Sequence, residues 1–313
     1  MKTWDIVGLG ACGVDLTAEV PSYPREGKKV VAKNLRISPG GVTANNLTQA
    51  SKLGLKCAWT GALGDDAHAE YLLAEFRKDG VHVPISPTLA PAPTQQFWSW
   101  RDAGGAVGMI GIAGASRALT PTIVRRRFSD AISKARHFHT EIAIIPLSAA
   151  LEGMRIAKKA GARVFLDIDS DPFYLIDREH IGTRAELTKM LALTDVAKMT
   201  ESAALALAKA SALDRASLSK ILRMGPSIVA VTRADKGCIV ADKKNLKKIP
   251  PTKVHIIDSV GAGDAFMGGL SYALLRGFSL GDAGKFANAC GAFKCTRVGT
   301  RSSGSLREIK RFI

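Results

Sequence analysis

With 313 residues, 46% hydrophobic and 23% charged, the chain has the make-up of a globular protein that holds one large α/β domain or two modest ones. No apolar run approaches the roughly 18 residues that span a bilayer, and Asp5 interrupts the short apolar start MKTWDIVGLG; no membrane partner or signal peptide is expected, and a cytoplasmic location is the default. The 44 Lys+Arg exceed the 28 Asp+Glu by a formal +16, but the basic residues are spread and their short runs lack interleaved aromatics, so a solvated surface is expected and no nucleic-acid partner.

WDIVGLGA reads as a buried first strand. Residues 15–38 alternate loosely around Pro21 and Pro24, as short hairpin-like strands do. At Gly40-Gly41 the pattern turns helical through Leu47, Ala50 and Leu53, ending at Gly54. LKCAWTGALG is the next strand. DDAHAEYLLAEFRKDG is a helix with acidic residues first and Gly80 last, as the dipole and C-cap rules prefer. Residues 94–112 form a second β-like pair that turns near Asp102–Gly105. From Thr120-Pro121 onward, helices over 121–134, 148–160, 183–193, 201–210 and 216–224 alternate with strands HFHTEIAII, ARVFLDID, TDVAKM and SIVAVTR. Such alternation predicts an α/β fold with a mostly parallel central sheet covered by helices on both faces. Residues 15–38 and 93–115 break the rhythm and read as a small β lid, leaving 1–14, 39–92 and 116–313 as the main body. The five cysteines are scattered without a CxxC pair, so no disulfide framework or zinc site is expected; Cys290 and Cys295 fall on one apolar helix.

Gly8-Leu9-Gly10-Ala11-Cys12-Gly13 matches the dinucleotide-binding fingerprint G-x-G-x-x-G in form. That motif needs a helix directly after it, whereas VDLTAEVPSYP is extended and carries two prolines. A dinucleotide oxidoreductase is therefore a poor reading. The glycines are expected to let the strand end lie against a small ligand, with Asp15 projecting toward it.

The most telling stretch is Asp258-Ser-Val-Gly-Ala-Gly-Asp264, followed by the helical pattern AFMGGLSYALLRG. Glycines at a helix mouth let main-chain N–H groups face an anion, and the helix dipole adds positive charge there. Asp264, in the first turn, then stands where it reaches a hydroxyl beside that anion. A carboxylate next to a cradle for negative charge is what phosphoryl transfer to an alcohol requires.

SPGGVTANNLTQASKLGLKCAWTGALGDD and DSVGAGDAFMGGL, about two hundred residues apart with VTRADKG between them, resemble the two signatures of the ribokinase (PfkB-type) carbohydrate kinases. The likeness covers essentially the whole chain. It implies a ribokinase-like three-layer α/β/α domain with a small β-sheet lid, using ATP and Mg2+ to phosphorylate a hydroxyl of a small sugar or sugar acid. Carried over by position, Asp264 is the general base, and the N–H groups of Gly261, Ala262 and Gly263 form the anion hole. Asp15, Asn45 and the Gly40-Gly41 backbone hold sugar hydroxyls. Thr232 and Gly237 lie along the nucleotide, and Asn288 sits near the adenine. Asp258, with backbone near Gly299, borders a monovalent-cation loop, which implies a potassium-like activator. Arg101, Trp98 and Trp100 on the lid are expected to line the sugar pocket or to meet a partner subunit, and exposed lid edges point to a homodimer.

Departures from the family pattern matter as well. Where the family carries Asn-x-x-Glu to organise magnesium, this chain has Thr200 and Ala203, leaving Glu201 as the substitute. Ala234 replaces the first glycine of VTxGxxG. EIAIIPLSAALEG lacks the phosphosugar-kinase segment, and Asp167-Ile168-Asp169-Ser170-Asp171 lacks the arginine of ketodeoxygluconate kinases. Two alternatives stay open: a nucleoside kinase using Phe97, Trp98 and Trp100 as a base pocket, and a catalytically impaired sugar or nucleotide sensor.

Overall fold

The computed structural model describes residues 2–85, 92–104 and 107–313. The chain opens with β1 (Trp4–Leu9), β2 (Gly13–Glu19) and β3 (Lys33–Gly40), followed by α1 (Val42–Lys52), β4 (Cys57–Thr60) and α2 (Ala67–Asp79). Next come β5 (Gln95–Arg101) and β6 (Val107–Ile112), then a helical stretch of α3 (Pro121–Ile123), a wide turn (Val124–Phe128) and α4 (Ser129–Ser133). Strands and helices then alternate: β7 (Ala135–Ile142), α5 (Leu147–Lys159), β8 (Arg163–Ile168), α6 (Pro172–Asp177), α7 (Arg184–Leu193), β9 (Val196–Thr200), α8 (Glu201–Ala208), α9 (Arg215–Arg223) and β10 (Ile228–Thr232). The hairpin β11 (Cys238–Asp242) and β12 (Leu246–Ile249) leads to α10 (Ala262–Leu275), α11 (Leu280–Cys295) and α12 (Leu306–Ile309).

Eight strands form the main sheet in the order β12-β11-β10-β9-β8-β7-β1-β4. All neighbours are parallel except the β10–β11 and β11–β12 pairs. Successive strand residues point to opposite faces, and both faces are apolar because both are covered. Ile6, Phe165, Val196, Ala230 and Val240 join one core with α1, α10 and α11. Their neighbours Val7, Val164, Ala197, Val229 and Ile239 join the other, with α5, α7, α8 and α9. The three layers are thus written in the strands' alternation.

Several features escaped the sequence reading, the short α12 among them. The β11–β12 hairpin was hidden because Lys247 and Lys248, both exposed, give its outer strand the look of a charged loop. They sit on the sheet edge, where lysines discourage pairing with another chain. The six-residue α6 is too short for a periodic signal, and its start is set by Asp171, which accepts from the Phe173 amide at 2.8 Å. The expected continuous helix over 121–134 is widened by one turn at Val124–Phe128. Gly105, the far end of the expected lid turn, lies outside the described residues.

A second sheet, β3-β2-β5-β6, stands apart from the main one. Its register sorts the lid residues by face. Asp15 pairs with Ser38 and Phe97, and Phe97 with Gly111; Leu16 pairs with Ile37 and Trp98, and Trp98 with Ile110. Asp15 and Phe97 therefore share one face, while Ile37, Trp98 and Ile110 share the other. No helix among the described residues is long and apolar enough to cross a membrane.

Candidate active site

The ends of the parallel strands, the mouth of α10 and the root of the small sheet meet in one place, the usual crevice of an open α/β sheet. α10 starts after Gly261, whose φ of 85° is left-handed and whose missing Cβ leaves room for the Thr300 carbonyl; a Cβ there would lie 2.5 Å from that oxygen. This turn also takes the Ala262 N–H, which donates to the Ser259 carbonyl at 3.2 Å. The expected trio of anion-binding amides thus lies together at the helix start: the Ala262 N–H has this turn partner, and those of Gly261 and Gly263 stand in the orphan-amide region.

Asp264 is buried in the first turn of α10, and its Oδ2 accepts from Asn45 Nδ2 at 2.7 Å. Asn45 stands in the first turn of α1, which begins at Gly41 with φ 103°. The Asn45 Oδ1 accepts in turn from Arg301 Nε at 3.1 Å, and Arg301 Nη2 donates to the Gly40 carbonyl at 2.9 Å. The guanidinium lies over the Phe76 ring, 4.7 Å from its centroid. Asn45 thus has its amide orientation fixed, with nitrogen toward Asp264 and oxygen toward Arg301.

On the other side of Asp264 stands Lys198, wholly buried in the middle of β9. Its Nζ lies 2.8 Å from Asp167 Oδ1 and 3.6 Å from Asp169 Oδ1. A Cβ on Gly263 would fall 2.8 Å from that nitrogen, so the ammonium sits directly against the helix mouth. Burial alone lowers a lysine pKa, but Asp167, Asp169 and Asp264 outweigh it and hold Lys198 charged. Burial, then the Asp169 carboxylate, pushes the Asp264 carboxyl well above the ordinary range; Lys198 and the Asn45 amide pull it back. Asp15, half-buried on β2 beside Gly40, is raised to about 6 by burial, against the pull of Arg301.

The glycines of the fingerprint-like turn serve a different end from the one expected. Cβ atoms on Gly8 and Gly10 would strike Thr43, so these positions let the end of β1 pack on α1 rather than on a ligand. Glu141, fully buried on β7, binds the two pieces together: it accepts from the Ala11 N–H at 3.1 Å and the Thr43 N–H at 2.7 Å.

Of the other expected residues, Arg101 is not brought to the cluster. It is exposed at the outer end of β5, paired with Glu19, four residues or about 13 Å beyond Phe97, the partner of Asp15. Trp98 and Trp100 point away from the Asp15 face. Thr232 ends β10 and donates to the Met199 carbonyl at 3.3 Å. Gly237 closes the β10–β11 turn, where a Cβ would strike the Ile249 carbonyl. Asn288 donates to the Pro250 carbonyl at 3.0 Å, so it and Gly237 both border the Pro250-Pro251 segment. Glu201 is held by Arg233 Nε at 3.1 Å. Thr200 caps α8 by accepting from the Ala203 N–H, and Ala203 is buried, so neither replaces the missing magnesium side chains.

A monovalent cation beside Asp258 does not fit the residues present. The Lys294 ammonium stands there already, 2.7 Å from the Asp258 carbonyl and 3.3 Å from its Oδ2. A second unit charge at about 4 Å adds about 4 kcal/mol of repulsion at an effective dielectric constant of about 20.

Sequence reasoning missed Lys198, Glu141, Lys294 and Arg301. For the first three a signal exists: each is a lone charge inside an apolar strand or helix, VAKMT, HFHTEIAII and GAFKC, and a buried charge requires a partner. Arg301, in a Gly-Thr-Arg-Ser loop, carries no such mark.

The pfkB family carbohydrate kinase model matches residues 4–306. The chain is 26% identical over 308 residues to a ribokinase of Haemophilus influenzae, spanning 96% of this chain and 95% of that one. It is 30% identical over 273 residues to fructokinase-1 of Oryza sativa subsp. japonica, spanning 84% of each. In fold it is similar to a ribokinase of Arabidopsis thaliana complexed with ribose and ATP, with a TM-score of 0.87, 21% identity, and coverage of 99% and 98%.

Burial raises the Glu141 carboxyl from 4.5 to about 7. The folded chain thus holds this proton more tightly than the unfolded chain, and that contribution to stability is present below pH 4.5 and lost as pH rises through 7. Glu141→Gln, permanently neutral, is expected to gain on the wild type between pH 4.5 and 8 by up to about 3 kcal/mol, measured by urea unfolding at each pH. An unfolding difference that stays flat with pH contradicts this.

Proposed function

The chain belongs to the pfkB family of carbohydrate kinases, phosphotransferases with an alcohol group as acceptor, and we propose that it moves the γ-phosphate of ATP to a hydroxyl of a small sugar or sugar acid. One observation carries this reading: a buried carboxylate, Asp264, sits at the mouth of α10 between the Asn45 amide and the Lys198 ammonium. A carboxyl raised by burial and like charge takes a proton from an alcohol more readily than an exposed one.

In this reading Asp264 accepts the hydroxyl proton as the oxygen attacks. The amides of Gly261 and Gly263, the helix dipole and Lys198 meet the charge that spreads over the transferred phosphoryl group. Asp15, Asn45 and the Gly40-Gly41 backbone hold the remaining hydroxyls, each offering a donor or an acceptor at close range. Thr232, Gly237 and Asn288 border the nucleotide, where a flat base rests against main chain. Magnesium, arriving on ATP, needs only one or two protein carboxylates. Asp169, half exposed beside Lys198, suits that task, while Glu201 serves only if it leaves Arg233. When bound, the ion neutralises phosphate charge. The small sheet then closes as a lid and excludes water. The register turns Trp98 and Trp100 away from the Asp15 face but puts Phe97 on it, so a nucleoside kinase that rests its base against Phe97 stays the second reading.

The test is a panel of sugars, sugar acids and nucleosides with ATP and magnesium. One sugar or sugar acid is expected to turn over, with kcat falling about 10²- to 10⁴-fold in Asp264→Asn. Binding without turnover across the panel supports a sensor instead, and full activity of Asp264→Asn removes the base from Asp264.

The apolar lid face exposes Ile37, Trp98 and Ile110 by 47%, 39% and 55%, which suits a second copy of the chain. Sedimentation velocity is expected to show a dimer that Trp98→Arg converts to monomer. A monomeric wild type contradicts the proposal.

A further inference from the structure

Lys294 is the second-last residue of α11, and its side chain is wholly buried. A lysine in such a place is tolerated only when oxygens match its charge. The Nζ donates to the Asp258 carbonyl at 2.7 Å and stands 3.3 Å from Asp258 Oδ2. That carboxylate accepts from the Val260 N–H at 3.0 Å and the Gly299 N–H at 2.9 Å. The amides of Ile257 and Asp258 donate back to the Cys295 carbonyl at 2.8 and 3.2 Å. The ammonium therefore fastens the end of α11 to the first loop at Asp258, and the Asp258 carboxylate carries the tie on to the second loop at Gly299; the two loops meet at Gly261. The first loop leads into α10; the second carries Thr300, whose carbonyl lies against Gly261.

We propose that Lys294 is the built-in cation of this turn. Its ammonium, rather than an ion drawn from solution, sets the loop that presents the first amides of α10, so the protein works without potassium. An alkylammonium carries one positive charge and three donors for oxygen, and it is close to potassium in size. The same oxygens do not serve both. Lys294 is a positioning residue: it acts on the phosphoryl group through the turn, whereas Lys198 stands at the helix mouth itself. The consequence for turnover rests on the kinase reading, but the consequence for ion binding does not.

Two measurements at constant ionic strength test this, in potassium chloride, sodium chloride and N-methylglucamine chloride. Wild-type turnover of the sugar identified by the panel is expected to be the same in all three. Lys294→Ala, which empties the space before the Asp258 oxygens, is expected to lose about tenfold or more in kcat without potassium. It should recover with potassium chloride and not with N-methylglucamine. Lys294→Met, which fills the space without charge, should lose rate and not recover. Without any substrate, potassium should raise the melting temperature of Lys294→Ala and leave the wild type unmoved. Potassium activation or stabilisation of the wild type overturns the proposal, as does a potassium-free Lys294→Ala that matches it in rate. The wild-type arm requires no variant to fold. If no sugar is turned over, the kinase reading fails separately, and the melting comparison still decides the role of Lys294.

Discussion

A carboxylate buried among other carboxylates is the costly element of this molecule, and much of the surrounding structure answers that cost. Asp264 lies in reach of the fields of Asp167 and Asp169, and Lys198, itself without solvent, offsets them together with the Asn45 amide. Removing one member of such a buried set leaves an uncompensated charge, so the set persists as a unit. The position of Lys198 follows from sheet topology: β9 lies beside β8, and Lys198 is in register with Asp167. The parallel sheet therefore places the charge pair, and the helix that follows β12 is laid across it.

The same constraint runs through α1. Asn45 donates to Asp264, and its other end is fixed by Arg301, which is fixed in turn by Gly40. These contacts join the first signature, the second signature and the C-terminal loop. They also reach the lid, because Gly40 ends β3 and pairs with Gly13 at the start of β2. In the proposed closure, Asp15 and Phe97 would move with the small sheet while Asn45 stays anchored in α1. Lys294 plays the corresponding part on the far side, where two loops would otherwise meet through bare carbonyls and a carboxylate.

What was legible in the chain was local. Gly261 and Asp264 are close neighbours and announce a helix mouth, and Asn45 follows a Gly-Gly turn. Alternation of strands and helices is likewise a near-neighbour pattern, and it carried the layered fold. Partnership across the chain was not legible. Arg301 meets Asn45 from 256 residues away, and nothing near it in sequence hints at that. Lys198, Glu141 and Lys294 were visible only as charges in apolar company. The face of Trp98 and the distance of Arg101 from the cluster depended on pairing register, which a single strand does not encode. The strand β12 was not legible because its exposed lysines, Lys247 and Lys248, are indeed surface charge and give an edge strand the look of a loop.

Asp264 is proposed as a base whose pKa is set by the buried charges around it. The acid limb of kcat/KM against pH, compared between the wild type and Lys198→Met, tests this directly. With Lys198 removed, the restraint on the Asp264 pKa is lost, and the limb should move to higher pH whatever happens to the maximal rate. A limb that stays in place, or a rate indifferent to acid, contradicts the account.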